Sequence, residues 1–443
     1  MALFGTNGVR GVANVEMTPE MAMNLAKSIG TFKTGVVAVG RDTRQSGEML
    51  KSAVIAGLLS TGCSVVDLGI APTPTIQYYV KHHADAGIVV TASHNPPEYN
   101  GIKGIAGDGT EMSREDEAVV EKIYFSGNFT RASWDKTGNL SYADPKPEYI
   151  DGIISKVDAS AIREKAFKVV ADPGCGAAVL TTPFLLRKLG CKVITLNAQV
   201  DGTFPGRNPE PTGNEINDLK AAVVAAGADL GVGHDADADR AVFVDNRGNF
   251  VNEDILLALM TKYRLERKPG TIVTPVSSSS VIADIAKQYG ADVIWTKVGS
   301  IHVARKMMEV GGVFGGEGNG GLIFPEFQYC RDGGMSAASM LEMLALTGKK
   351  LTDLLAEVPS YRSVKDKIHC KDKDAVMKNI EAEVESEKAD VTDGIKVFKP
   401  EGWVLIRQSG TEPIIRVFAE SKTDEGAKKL ADYGVGLVKK YNK

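Results

Sequence analysis

Ala56–Gly69 reads AGLLSTGCSVVDLG, Phe184–Asn197 reads FLLRKLGCKVITLN, and Ile282–Gly299 reads IADIAKQYGADVIWTKVG. Each stretch has the apolar spacing of an amphipathic helix, then a glycine, then a β-branched strand. Gly62, Gly190 and Gly290 stand where a helix end needs a left-handed backbone, which costs glycine least. Three such units about a domain apart predict three related α/β domains. The tail differs. It is charged over Lys365–Lys388, then strand-like in WVLIRQSG (Trp403–Gly410) and IIRVFAES (Ile414–Ser421), and it closes with a helix from about Thr423. That predicts a smaller C-terminal α+β domain behind a linker near VPSYRS. The expected domains are 1–150, 151–250, 251–362 and 363–443.

Composition narrows the function. Of 443 residues, 43% are hydrophobic and 24% charged, ordinary values for a chain that buries several cores. With 52 basic and 56 acidic residues the net charge is −4, which points away from nucleic acid and anionic membranes as partners. A small anionic ligand would need a local cluster of cations. The five cysteines (Cys63, Cys175, Cys191, Cys330, Cys370) form no C-x-x-C pair, so neither a disulfide framework nor a zinc site is expected. The opening MALFGTNGVRG has no signal-peptide pattern, and no apolar run reaches the length of a membrane span. The expectation is a soluble, cytoplasmic protein, with a homo-oligomer and a monomer both left open.

Four segments carry chemistry. TASHNPPEYNGIK (Thr91–Lys103) follows the buried-strand run AGIVV, and loops at the carboxyl ends of such strands are where α/β proteins bind ligands. Ser93, beside His94 and ahead of two stiffening prolines, is a candidate nucleophile; Lys103 is a candidate base or charge partner. GHDADADR (Gly233–Arg240) spaces Asp235, Asp237 and Asp239 by two, so that three mutually repelling carboxylates converge on one hard cation. An EF-hand fails on position, with Arg240 where glycine is required and Asn246 where glutamate is required. Oxygen-only ligands favour Mg²⁺ or Mn²⁺. RQSGTEPIIR (Arg407–Arg416) combines Arg407, Ser409, Gly410, Thr411 and Arg416 as a phosphate nest. GGEGNGG (Gly315–Gly321) matches a dinucleotide fingerprint by letter, but LIFP follows as strand where the fingerprint needs a helix. A loop offering Glu317 and Asn319 to sugar hydroxyls fits better. Arg10, among glycines in FGTNGVRG, suits an anion. GRDTRQSG (Gly40–Gly47) is either a second cationic contact or, as favoured, a structural ion pair.

Together FGTNGVRG, TASHNPPEYNGIK, DADADR, GEGNGG and RQSGTEPIIR resemble the α-D-phosphohexomutase family, in the family's order and across nearly the whole chain. The resemblance implies four domains around a central cleft, each giving one loop. It implies that Ser93 is phosphorylated and is, with Asp235, Asp237 and Asp239, a ligand of one Mg²⁺. Lys103 would be the acid/base residue, Arg10, His94 and Arg240 would serve the reaction, and Arg407–Arg416 would hold the distal phosphate. The implied activity interconverts hexose 6- and 1-phosphates through a hexose 1,6-bisphosphate, which also serves as activator. The opening is more similar to phosphoglucosamine mutases, which favours glucosamine phosphate; mannose or glucose phosphates are the alternative. A phosphosugar phosphatase and a non-catalytic phosphosugar sensor are rivals of a different class. Departures are D-A-D-A-D where the family has D-G-D-x-D, Gly321 where some members carry histidine, and Ser300, with His302 close by, where relatives carry Asp or His.

Overall fold

The computed structural model describes residues 3–5, 7–410 and 412–442, so Thr411 of the phosphate-loop expectation lies outside the described residues. The chain divides into two compact units, Met1–Glu253 with Asn319–Leu355, and Asp254–Gly318 with Ala356–Lys443.

In the first unit the expected helix–glycine–strand pattern is present twice. Helix Gly47–Ser60 leads through Gly62 (φ +91°) to strand Ser64–Ile70, and helix Thr182–Lys188 leads through Gly190 (φ +82°) to strand Lys192–Thr195. Each completes a parallel pair, Val36–Arg41 with Ser64–Ile70 and Lys168–Asp172 with Lys192–Thr195. The chain then returns to the other side of the first strand, placing Ala86–Val90 beside Val36–Arg41 and Leu230–His234 beside Lys168–Asp172. This reversal of strand order is the switch point at which open α/β sheets bind ligands. After each return strand the chain loops and comes back antiparallel, as Tyr99–Ala106 and as Ala241–Val244. Val9–Val12 and Leu140–Tyr142 close the edges of the six-stranded sheet.

Both faces of that sheet are covered, as parallel strands require. Val37, Val39, Ile88, Val90 and Ile102 pack with Leu25, Ile29, Leu50, Val54 and Leu58 of two helices. The alternate residues Ala38, Val89 and Ile105 pack with Ile76 and Val80 on the opposite face.

The second unit carries the third copy. Helix Val281–Gln288 leads through Gly290 (φ +62°) to strand Val293–Thr296, parallel to Ile272–Pro275, which pairs on its other side with Phe314–Glu317. The rest of this unit is the expected α+β element. Its antiparallel sheet runs in the order Arg362–His369, Ile414–Ser421, Gly402–Gln408, Ile395–Lys399, Ala389–Asp390. Helices Lys373–Glu383 and Asp424–Tyr441 cover one face of it through Val376, Ile380, Leu430, Leu437 and Val438. Strand Arg362–His369 departs from the reading of this stretch as a charged segment behind a linker. It pairs along its whole length with Ser421–Ile414, but it is an edge, and charged side chains on an edge both disguise a strand and protect it.

Nothing lies within 4 Å of a Cβ built at Gly290, whereas one at Gly190 would meet Arg163 Cγ at 2.9 Å and Cα at 3.1 Å. Gly290→Ala is therefore expected to cost about 1–2 kcal/mol from backbone conformation alone, and Gly190→Ala more. Shifts in urea midpoint test this; two variants indistinguishable from the parent would mean that these glycines do not end the helices.

Candidate active site

The return strands of the two sheets in the first unit deliver their loops to one place. Ser93 is fully buried with φ +50°, and its Oγ donates to Asp235 Oδ2 at 2.8 Å. Asp235, Asp237 and Asp239 are all buried, with one carboxylate oxygen from each lying within 4.8 Å of the others. Ala238 takes the left-handed turn of this loop (φ +57°); Ala236, the departure from the family's glycine, needs no such conformation.

Lys103 sits on the returning strand, opposite Val89, rather than on the loop. The glycines of YNGIKGIA let this strand run close to its neighbours: a Cβ at Gly101 would meet Val9 O at 2.5 Å and Thr91 O at 2.8 Å. Lys103 Nζ donates to Asp237 Oδ2 at 2.7 Å and lies 3.5 Å from Asp239 Oδ2. Thr73 Oγ1 donates to the same Asp237 oxygen at 2.7 Å. Arg331 Nη2 pairs with Asp239 Oδ2, and Arg240 Nε lies 3.8 Å from Asp239 Oδ1. Arg240 Nη2 reaches His94 Nδ1 at 3.1 Å, and His94 Nδ1 is 3.4 Å from Ser93 Oγ. Arg10 Nη1 donates to Asn95 Oδ1 at 2.8 Å and to Ala92 O at 3.2 Å. Ser93, His94, Lys103, Arg10, Arg240 and the three aspartates are thus brought together.

The electrostatics follow. Burial, then Asp237 and Asp239, push Asp235 well above the usual carboxylate range. Asp237 is also penalised by burial, but Lys103, Thr73 and Arg10 outweigh that and pull it down. Burial would lower Lys103; Asp237 and Asp239 more than offset it and raise it. Arg240, then burial, Arg10 and Arg331, drive His94 down to about 2, so its ring is neutral. Asp237 Oδ1 and Asp239 Oδ1 are buried without a hydrogen-bond partner, as are Arg10 Nε and Arg240 Nε. Buried carboxylate oxygens without a hydrogen bond among three close carboxylates fit a hard divalent cation, and guanidinium nitrogens without one fit a phosphate beside it.

The GRDTRQSG segment is structural, as favoured. Arg44 is fully buried; its Nε pairs with Asp42 Oδ2 at 3.1 Å, and its terminal nitrogens donate to the carbonyls of Ser93 (2.7 Å), Asn95 (2.6 Å), Pro96 (2.5 Å) and Tyr99 (2.9 Å). Asp42 also accepts from Thr91 Oγ1 at 2.6 Å, and Thr91 Oγ1 accepts from Ser93 N at 2.8 Å. The Ser93 loop is held from beneath at every turn.

Of the residues expected to bind sugar and distal phosphate, Asn319 is in the first unit, where its Oδ1 accepts from Gly321 N at 3.1 Å. The others lie in the second unit. There Glu317 Oε1 accepts from Gly299 N at 3.1 Å, and Asp393 Oδ2 accepts from both Val298 N and Arg407 Nε at 2.8 Å. Glu317 and Asp393, the latter paired with Arg407, therefore brace the same turn. Arg407 and Arg416 are cross-strand partners, Ser409 Oγ accepts from Glu412 N at 3.2 Å, and Gly410 is exposed at the tip. Lys373 Nζ, not anticipated, donates to Ser409 O at 2.5 Å and Glu412 O at 2.9 Å, fastening this loop.

Family models for phosphoglucomutase/phosphomannomutase α/β/α domains I, II and III match residues 1–131, 147–248 and 252–361, and the C-terminal domain model matches 364–435. The chain belongs to the phosphoglucomutase/phosphomannomutase family, the α-D-phosphohexomutases. Its activity is that of a hexose phosphate mutase, an intramolecular phosphotransferase. It is 48% identical to a phosphoglucomutase/phosphomannomutase of Thermococcus kodakarensis, over 98% of each chain. It is 42% identical to a phosphoglucosamine/phosphogalactosamine mutase of Sulfurisphaera tokodaii, over 97% of each. A crystal structure of a family protein from Burkholderia thailandensis superposes with a TM-score of 0.89 at 26% identity, covering 100% of this chain and 98% of that one.

Arg331, Thr73, Asp42 and Arg44 join this cluster, and Arg331 explains Gly321. A Cβ at position 321 would overlap Arg331 Cδ, so the missing side chain is the room through which Arg331 reaches Asp239. Gly321→Ala should displace Arg331 and lower kcat by roughly 10-fold or more, as small misplacements of charge at a reacting centre do. Unchanged kcat would show that the Arg331–Asp239 pair is dispensable. Asp237→Asn should raise the Mg²⁺ concentration for half-maximal turnover by roughly 10-fold or more, read by metal titration.

Proposed function

We propose that this mutase interconverts glucosamine 6-phosphate and glucosamine 1-phosphate, with Ser93 as the phosphoryl carrier. The observation that carries the reading is the hydrogen bond from Ser93 Oγ to Asp235 within the buried carboxylate triplet: a nucleophile seated at a metal-competent site. Asp235, Asp237, Asp239 and the Ser93 phosphate would hold one Mg²⁺, whose charge offsets that of the transferring phosphoryl group.

In the forward half-reaction the bond from phosphorus to the Ser93 oxygen breaks and a bond forms from phosphorus to the free sugar hydroxyl. That hydroxyl loses its proton and the seryl oxygen gains one; Lys103, oriented by Asp237, is the acid/base residue of this exchange. The second half-reaction returns the other phosphoryl group of the hexose 1,6-bisphosphate to Ser93, and the same bisphosphate, added from outside, primes the serine. Arg10 and Arg240 offset charge on the moving group, and His94, neutral and oriented by Arg240, lines its path. We assign the sugar hydroxyls to Glu317 and Asn319, and the distal phosphate to Arg407, Ser409, Gly410, Thr411 and Arg416. We take the domains as 1–150, 151–250, 251–362 and 363–443, in keeping with the order of the four family models. A cytoplasmic location accords with five buried, unbridged cysteines, and no described helix is long and apolar enough to cross a membrane.

The name of the Thermococcus kodakarensis relative supports a second reading, turnover of glucose or mannose phosphates. Phosphorus NMR with Mg²⁺, a trace of hexose 1,6-bisphosphate and glucosamine, glucose or mannose 6-phosphate in separate tubes decides between them. We expect glucosamine 1-phosphate to form fastest and Ser93→Ala to lose nearly all turnover while remaining folded. Release of inorganic phosphate alone would favour a phosphatase, and full activity in Ser93→Ala would overturn the serine mechanism.

A further inference from the structure

The segment Asn197–Asn208 belongs to neither catalytic loop, yet it touches the supports of both. Asn197 opens it with φ +48°, and its carbonyl accepts from Cys175 N at 2.8 Å. Gly202 forms a parallel bridge with Arg44, and any Cβ there would overlap the backbone of Thr43, Arg44 and Gln45. Arg207 ends it, pairing with Asp172 Oδ2 at 2.8 Å and donating to the carbonyl of His234, the residue before the metal loop, at 2.6 Å. Asp172 and Asp42 therefore do the same work. Each ends or follows the strand at the switch point of its sheet and pairs with a buried arginine, Arg44 donating to carbonyls of the Ser93 loop and Arg207 to the carbonyl just before the metal loop.

Phe204 lies between Gly202 and Arg207 in this segment. It is buried, and it has φ +52°, a conformation uncommon for a bulky side chain and kept only where the surroundings impose it. One side of it packs in a cluster with Cys175 and Ala236, the residue between Asp235 and Asp237. On another side the Arg44 guanidinium carbon stands 5.4 Å from its ring centroid, within cation–π range. The alanine that departs from the family's glycine supplies the methyl group for this packing.

The geometry points to Phe204 as a positioning residue that sets the Ser93 loop against the metal aspartates, through Arg44 on one side and Ala236 on the other. This rests on the phosphoserine reading above. Phosphoryl transfer is sensitive to displacements of about 1 Å, and a single wedge beside Arg44 that shares a buried cluster with Ala236 restrains the separation.

Three variants separate the two contacts. Phe204→Leu keeps apolar packing on Ala236 and lacks the ring beside Arg44; it should lower kcat by about 10-fold, with KM for sugar phosphate within about twofold and Mg²⁺ affinity unchanged. Phe204→Ala lacks both, and should lower kcat by about 100-fold and weaken Mg²⁺ binding, measured by calorimetry, by about 10-fold. Phe204→Tyr keeps the ring and should retain most of the activity. Lower Tm with kcat and Mg²⁺ affinity at parental values in Leu and Ala would overturn the inference. If Phe204→Ala does not fold, Leu against Tyr decides, and loss of kcat in Tyr equal to that in Leu counts against a role for the ring. Absence of mutase turnover in the parent enzyme would instead sink the phosphoserine reading, and the calorimetric arm would still report on Phe204: weakened Mg²⁺ binding in Ala supports the wedge, and parental binding overturns it.

Discussion

Three carboxylates buried within 4.8 Å of one another are the constraint around which the first unit is organised. In a low-dielectric interior their mutual repulsion is severe, and the fold can keep them only by surrounding them with positive charge. Lys103 and Arg331 supply it at hydrogen-bonding distance, with Arg240 and Arg10 beyond. The outcome is uneven. Asp237, with a lysine and a threonine on one oxygen, is held ionised, while Asp235, which accepts from the Ser93 hydroxyl and the Arg240 backbone N–H but has no cation hydrogen-bonded to it through a side chain, is pushed the other way. An additional divalent cation would even out that difference and take up the two unpartnered oxygens. The same cluster of cations suits a phosphoryl group passing between serine and sugar, so in the proposed mechanism one electrostatic device serves both folding and chemistry.

The copies show how such a site is assembled from ordinary parts. In each, a strand that has crossed back over the switch point runs into a loop and then a further strand: Ala86–Val90 into 91–98, Leu230–His234 into 235–240, and Phe314–Glu317 into 318–320. The serine, the aspartates and the glycine-rich turn thus occupy equivalent places in chain order. Backbone architecture decides where a loop stands, and a few side chains within it decide the chemistry.

The parts legible in the sequence are those encoded locally. Helix, glycine and strand within 18 residues read directly, and so did three aspartates spaced by two. What escaped is encoded by distant partners. Thr73 meets Asp237 across 164 residues and Arg331 meets Asp239 across 92, and no window of sequence displays either pairing. Arg44 read as half of an ion pair because Asp42 is two residues away; its four carbonyl contacts to the Ser93 loop, about fifty residues on, were invisible. Gly321 could be seen as a lost side chain, but the arginine that fills its space comes from another strand. The charged edge Arg362–His369 was passed over because its strand character lies in pairing rather than in alternation.

Backbone strain ties these threads together. Among the described residues, Asn14, Ser93, Ala166, Cys175, Asn197, Phe204 and Ala238 are the non-glycine positions with positive φ. Two are in the catalytic loops, and Cys175, Asn197 and Phe204 lie in the segments that support them. Such conformations cost of order 1–3 kcal/mol each, and they persist only where the surroundings determine them several times over. At Ser93 that determination can be followed atom by atom: its N–H is fixed by Thr91, Thr91 by Asp42, and its carbonyl by Arg44, itself paired with Asp42. In the proposed mechanism, a serine held this way has little conformational freedom left to lose at the moment of transfer. The stability spent on strain in these loops is recovered as positioning, and this is why a buried arginine with no access to substrate is as much a part of the site as the serine it holds.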